Sequence, residues 1–223
     1  MHWHLSPRER AALSLMGLTV VSVAFFVVDA ITDHSLQFDY LLWNLFLSWI
    51  PLIFTLMLLR SLKTRLWSDW LPLGITIAWL LLLPNSFYMI SDYLHVQQVA
   101  PNELVYDVVM FTAFIITSIL LGFVSLYLIH RELRKRLVSR RANSVIAAVL
   151  LLCSYAIYLG RDLRWNSWSI LTNPAGVLFD VSDHLIHPLE SGQMYLVTVS
   201  FFVLLGSIYL VGWQLIDAVR SLP

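Results

Sequence analysis

NSVIAAVLLLCSYAIYLG, Asn143 to Gly160, runs directly into RDLRWNSW, Arg161 to Trp168. The first half is an apolar stretch of about twenty residues, the length at which a helix crosses a bilayer. The second half brings together Arg161, Asp162, Arg164, Trp165, Asn166 and Trp168. An arginine left alone at mid-bilayer costs at least about 2.5 kcal/mol on the insertion scale, so such a cluster belongs where a helix leaves hydrocarbon. There it has a carboxylate, a phosphate or water for company. This junction points to an all-α chain that spans a membrane, with its chemistry gathered at a helix end.

Composition extends the reading to the whole chain. Of 223 residues, 59% are hydrophobic and 13% charged, and the mean hydropathy is +0.75. A soluble domain carries about a quarter charged residues, so a polytopic membrane protein is expected. The lone Cys153 lies inside an apolar run, which rules out an intramolecular disulfide framework and a cysteine metal site. The N-terminal MHWHLSPRER carries Arg8 and Arg10 ahead of an apolar run, as a signal peptide would. That run is long and closes on no small-x-small pattern, so it reads as a retained first helix.

The apolar runs cover about 11–30, 38–59, 70–90, 105–129, 143–160 and 195–216. Each crosses about 30 Å of hydrocarbon at about 1.5 Å per residue, giving six spans in a single transmembrane domain, 1–223. Arg8, Arg10, Arg60, Lys63, Arg65, Arg131, Arg134, Lys135, Arg136, Arg140, Arg141 and Arg220 then fall on one side, which is 12 of the 14 basic residues. The positive-inside rule places both termini in the cytoplasm. Ten of the 14 acids lie at or near the other side, from Asp29 to Glu190, so a net charge of zero hides a dipolar partition. The basic loop between spans four and five reads as a topology determinant on anionic lipid. No aromatic platform for bases accompanies it, and nucleic-acid binding is not expected.

Three stretches carry polar side chains toward the outer side. In LLLPNSFYMISDYLH, Leu81 to His95, Pro84 lacks an N–H and breaks the helix, freeing carbonyls that Asn85 can satisfy. Asp92 and His95, three apart, share a face if the helix continues. Tyr88 and Tyr93 suit the headgroup zone. YDVVMF places Tyr106 and Asp107 at the head of the next span, with Arg161 or Arg164 as the natural partner for Asp107. Further in, Ser118, Gly122 and Ser125 form a small-residue patch for helix packing. After Trp168, Asn173-Pro174 reads as an N-cap and first helical residue. An amphipathic interfacial helix is expected over about 174–187. At about 100° per residue, Asp180, Asp183, His184 and His187 form one stripe, with Leu178, Phe179, Leu185 and Ile186 opposite. That stripe reads either as a solvated face or, through Asp180, His184 and His187, as ligands for a transition metal. It matches no zincin pattern.

PNSFY with its following D-x-x-H, the YD pair, GRDLRWNSW and NP together resemble a family of uncharacterised bacterial multi-pass membrane proteins, a domain of unknown function. The similarity covers roughly Trp43 to Pro174. It implies a bacterial inner-membrane protein of about six spans and brings no established activity. The positions that carry it are Pro84, Asn85, Tyr88, Asp92, His95, Asp107, Gly160, Arg161, Arg164, Trp165, Asn166 and Trp168. Where the family often has a proline before the tyrosine and an acid after the second tryptophan, this chain has Phe87 and Ser169.

Two functions are expected from these residues. In one, the outer-face cluster is a buried ion-pair and hydrogen-bond network that locks the bundle or docks another membrane protein. In the other, the protein is an enzyme acting on a lipid-linked or headgroup substrate. Arg161, Arg164 and Asn166, beside Asn85 and Tyr88, would then bind its phosphate or carboxylate, Asp92 or Asp107 would orient them, and His95 would be the general base. A transporter is the third reading, although apart from Asn44 the span centres offer little polar lining.

Overall fold

The structure, a computed structural model, describes residues 6–32, 36–98, 104–163, 165, 172–186 and 192–221. In chain order its helices are α1 (Pro7–Thr32), α2 (Tyr40–Ser61), α3 (Trp70–Leu82), α4 (Pro84–Tyr88), a 3-10 helix (Met89–Gln98), α5 (Leu104–Arg134), α6 (Ser139–Asp162), α7 (Pro174–Ile186) and α8 (Gly192–Ser221). Among the described residues there is no strand. Six helices are long and apolar enough to cross a membrane: Glu9–Thr32, Tyr40–Ser61, Trp70–His95, Leu104–Arg134, Ser139–Asp162 and Gly192–Val219. The chain is an all-helical, multi-pass membrane protein.

Five of the six apolar runs lie wholly inside one of these helices, and the second begins in a turn just before Tyr40. The helices outlast the runs because polar side chains can sustain a helix beyond hydrocarbon. The end of α5 is held by Glu132, which pairs with Lys135 at 2.6 Å and Arg136 at 3.0 Å. At the start of α1, Ser6 and Glu9 form a reciprocal capping box. The Ser6 N–H donates to Glu9 Oε2 at 2.7 Å, and the Glu9 N–H donates to Ser6 Oγ at 3.3 Å.

Helix α5 is the centre of the bundle. Half of its most apolar stretch, 50%, is buried inside the protein, against 17% for α1 and α8, which leave most of their surface for lipid. It packs against α1, α2, α4, the 3-10 helix and α6, while α8 lies along α6. Two apolar cores result. One joins α1, α2 and the first half of α5 through Leu15, Phe26, Leu45, Met110, Phe111 and Phe114. The other joins α3, α4, α6, α8 and the second half of α5 through Trp79, Phe87, Leu126, Leu150, Ile157 and Leu205.

Between them lie two polar layers. In one, Ser48 of α2 and Ser118 of α5 share a hydrogen bond, Ser118 Oγ donates to the Ser86 carbonyl at 2.7 Å, and Ser86 Oγ donates to the Ser48 carbonyl at 3.1 Å. In the other, Ser125 Oγ binds Thr55 Oγ1 and accepts from Trp79 Nε1, both at 2.8 Å. Each pair of positions, Ser48 and Thr55, Trp79 and Ser86, Ser118 and Ser125, is seven apart, which is two helical turns or about 10.5 Å. A seven-residue repeat keeps one seam facing its neighbours, so three helices meet at two levels. A hydrogen bond of this kind contributes about 0.6 kcal/mol on average in a membrane bundle. Register, more than stability, is what the layers supply. The small-residue patch Ser118, Gly122 and Ser125 lies on this seam. A β-carbon on Gly122 would come within 2.8 Å of Ser86 Cβ and 2.9 Å of the Phe87 ring.

The break at Pro84 forms as expected. α3 stops at Leu82, α4 lasts a single turn, and the chain tightens into the 3-10 helix. Past the break the Ser86 carbonyl accepts from Ser118 Oγ at 2.7 Å, and the Asn85 carbonyl lies 3.5 Å from Ser48 Oγ.

Candidate functional site

The 3-10 helix sets the geometry of the outer-face cluster. With three residues per turn, positions i and i+3 eclipse, so Asp92 and His95 lie on one face. They do not share an environment. Asp92 is 3% exposed and accepts from Asn44 Nδ2 at 3.1 Å. His95 is exposed, its ring 5.3 Å from that of Tyr40. The Tyr40 hydroxyl is buried without a hydrogen-bond partner among the described residues and lies within electrostatic reach of Asp92. Asn44 precedes Ser48 by one turn of α2, and the Ser48 hydroxyl donates to the Asn44 carbonyl at 2.8 Å. The carboxylate of Asp92 thus stands at the head of the upper polar layer.

Beside this buried half is a rim. The ring of Tyr88 rests against α6, where a β-carbon on Gly160 would come within 3.1 Å of it and within 3.2 Å of the Trp165 carbonyl. The Tyr88 hydroxyl lies within electrostatic reach of Asp92, Arg161 and Asp162. Arg161, in the last turn of α6, is exposed and makes no ion pair among the described residues. Of the two partners expected for Asp107, Arg164 lies outside the described residues; Asp107 itself is 2% exposed in the first turn of α5, while Arg161 is exposed. Asp162 accepts from Gln193 Nε2 at 2.9 Å, tying α6 to the start of α8.

Trp165 anchors α7. Its indole Nε1 donates to Asp180 Oδ2 at 2.6 Å, and its ring edge lies where a β-carbon on Gly176 would fall, 2.8 Å away. Asn173 caps the helix through its Oδ1, which accepts from the Gly176 N–H at 3.1 Å, and Pro174 opens it. The expected start of this helix is therefore the observed one. Of the expected metal ligands, Asp180 is spent in part on Trp165, while the side chain of His184 and all of His187 lie outside the described residues. Arg164, Asn166 and Trp168 lie outside them too. Among the described residues no three His, Cys, Asp or Glu side chains gather as a metal site.

The structure thus brings Asn85, Tyr88, Asp92 and Arg161 to one corner of the bundle and puts His95 at its edge. It adds Asn44, Ser48 and Tyr40, whose roles the sequence did not single out. The signal for Asn44 was its isolation as a polar residue in an apolar span, and for Ser48 its seven-residue spacing to Thr55. No curated protein and no solved structure matches the chain. A family model does, over residues 43–208, which take in most of the second and sixth spans, all of the third to fifth, and Asn44, Ser48, Asn85, Tyr88, Asp92, His95 and Arg161 of the outer-face corner. The chain belongs to the family described as Protein of unknown function (DUF1361).

Proposed function

We propose that this is a non-catalytic component of the bacterial inner membrane, with both termini in the cytoplasm, whose outer-face corner locks the α4 and 3-10 wedge and docks another membrane protein at its rim. The observation that carries it is the bond from Asn44 to the buried Asp92. A carboxylate held there by a neutral amide, one turn above a layer of bonded hydroxyls, is placed to fix helix register. A hydrogen bond to a charged group contributes about 1.5–3 kcal/mol, several times one hydroxyl bond of the layers below. The partition of basic residues supports the orientation, and the family resemblance supports the bacterial inner membrane.

One observation favours a second reading, an enzyme for a lipid-linked or headgroup substrate. Arg161 is exposed and not engaged by a carboxylate among the described residues, so its five donors are open to a phosphate. Arg164 and Asn166 would join it, with His95 as general base. One pair of variants separates the readings. If Asp92 is a lock, Asn44→Ala lowers the melting temperature in detergent, at a cost of about 1.5–3 kcal/mol. Asp92→Asn, which can still accept from Asn44, stays folded and still complements a strain lacking the protein. An Asp92→Asn protein that is stable yet fails to complement sinks the lock and promotes the enzyme.

A further inference from the structure

We infer that the end of the bundle opposite Asp92 carries a site for the phosphate headgroup of an anionic phospholipid, built on Arg131 and Arg134. From Asp107 to Arg134, α5 rises about 40 Å at about 1.5 Å per residue, so this end is remote from the outer-face corner. The two guanidinium groups sit on adjoining rings. Arg131 lies 5.9 Å from the centre of the Tyr127 ring and Arg134 5.7 Å from that of Trp213, and the two rings are 5.3 Å apart. The platform is pinned from below. The His130 ring is 4.0 Å from Trp213, its Nδ1 shares a hydrogen bond with the Tyr209 hydroxyl at 2.9 Å, and its Nε2 shares one with Asn143 Oδ1 at 3.0 Å. Helices α5, α6 and α8 therefore all contribute to one rigid aromatic base.

What makes this a site is how the arginines are held. The usual partner of an exposed arginine is a carboxylate, which consumes its donors. Here each guanidinium carbon lies over a ring face, and neither arginine makes an ion pair among the described residues. The nearest carboxylate in sequence, Glu132, is already bonded to Lys135 and Arg136. Asp217, one turn beyond Trp213, makes no ion pair among the described residues. Two exposed guanidinium groups without a carboxylate partner among the described residues suit phosphate oxygens, and Arg140 and Arg141, also exposed, add to the attraction. The occupant is a lipid because α5 exposes Ile116 and Leu120 on the face that carries Tyr127 and Arg131, about three to four turns nearer the bilayer centre, where acyl chains below the headgroup can lie. A basic pocket between helices on the cytoplasmic side is a recurrent headgroup site.

The test is retention of cardiolipin by the purified full-length protein, read by native mass spectrometry after detergent exchange, with inorganic phosphate as competitor. The expected result is retention that phosphate does not reverse. The double variant Arg131→Lys/Arg134→Lys, which keeps the charge but loses the planar forks, should bind about tenfold more weakly. Arg140→Lys/Arg141→Lys, off the platform, should stay within about twofold. Equal binding by both double variants would reduce the site to point-charge attraction and overturn the inference. So would an absence of retained lipid, or displacement by inorganic phosphate, which would mark a free-anion site. Because the lysine variants leave Tyr127, His130, Tyr209 and Trp213 in place, a loss of binding with an unchanged melting temperature cannot be ascribed to misfolding.

Discussion

Gly122 shows how much can depend on a missing side chain. It lies between Ser118 and Ser125, where α5 meets the break after Pro84, and an added methyl would run into Ser86 and the wholly buried Phe87. Neither neighbour is the free end of a flexible chain, so relief requires α4 to move. Overpacking of this kind costs about 1–3 kcal/mol, and Gly122→Ala should lower the melting temperature accordingly. The same substitution at Gly17 or Gly206, where nothing lies within 4 Å, should be tolerated. Equal effects at the three positions would mean that the wedge is not tightly held. Glycine at 122 was legible as part of a packing patch, but the ring it accommodates was not. That contact joins residues 87 and 122, and no local pattern announces it.

At the scale of elements, local signals read well and partner choice did not. Asn173-Pro174 announced the start of α7 because capping is settled within four residues. Pro51 and Pro84 look alike in sequence, yet α2 runs on through Pro51 while α3 ends before Pro84. Just after Pro84 the Ser86 carbonyl accepts from Ser118 Oγ of α5, which lowers the penalty for leaving the α-helix there. The pairing of Asn44 with Asp92 was invisible for a related reason, since it joins α2 to the 3-10 helix across 48 positions. Among the described residues, α7 is tied to the chain before it by the bond from Trp165 to Asp180, backed by its cap. Trp165→Phe keeps an aromatic ring and removes the donor. Hydrogen exchange in α7 should then rise while the amides of α5 stay protected. Unchanged exchange in α7 would show that the tether is dispensable.

For the whole molecule, what matters is that its two polar ends differ in kind. One buries a carboxylate among amides and hydroxyls, and the other spreads arginines on aromatic rings. The six spans were legible because length and hydropathy are local quantities, and they agree with the helices observed. Both the docking corner and the lipid platform require the ends to face opposite sides of the membrane, with the basic end in the cytoplasm. Native Cys153 is buried, so it contributes little background to thiol labelling in the folded protein. Introduced cysteines therefore report sidedness directly. With a membrane-impermeant maleimide on intact cells, Gln97→Cys should be labelled, and Ser139→Cys only after the membrane is opened. Labelling of Ser139→Cys in intact cells, with Gln97→Cys silent until permeabilisation, would contradict the account.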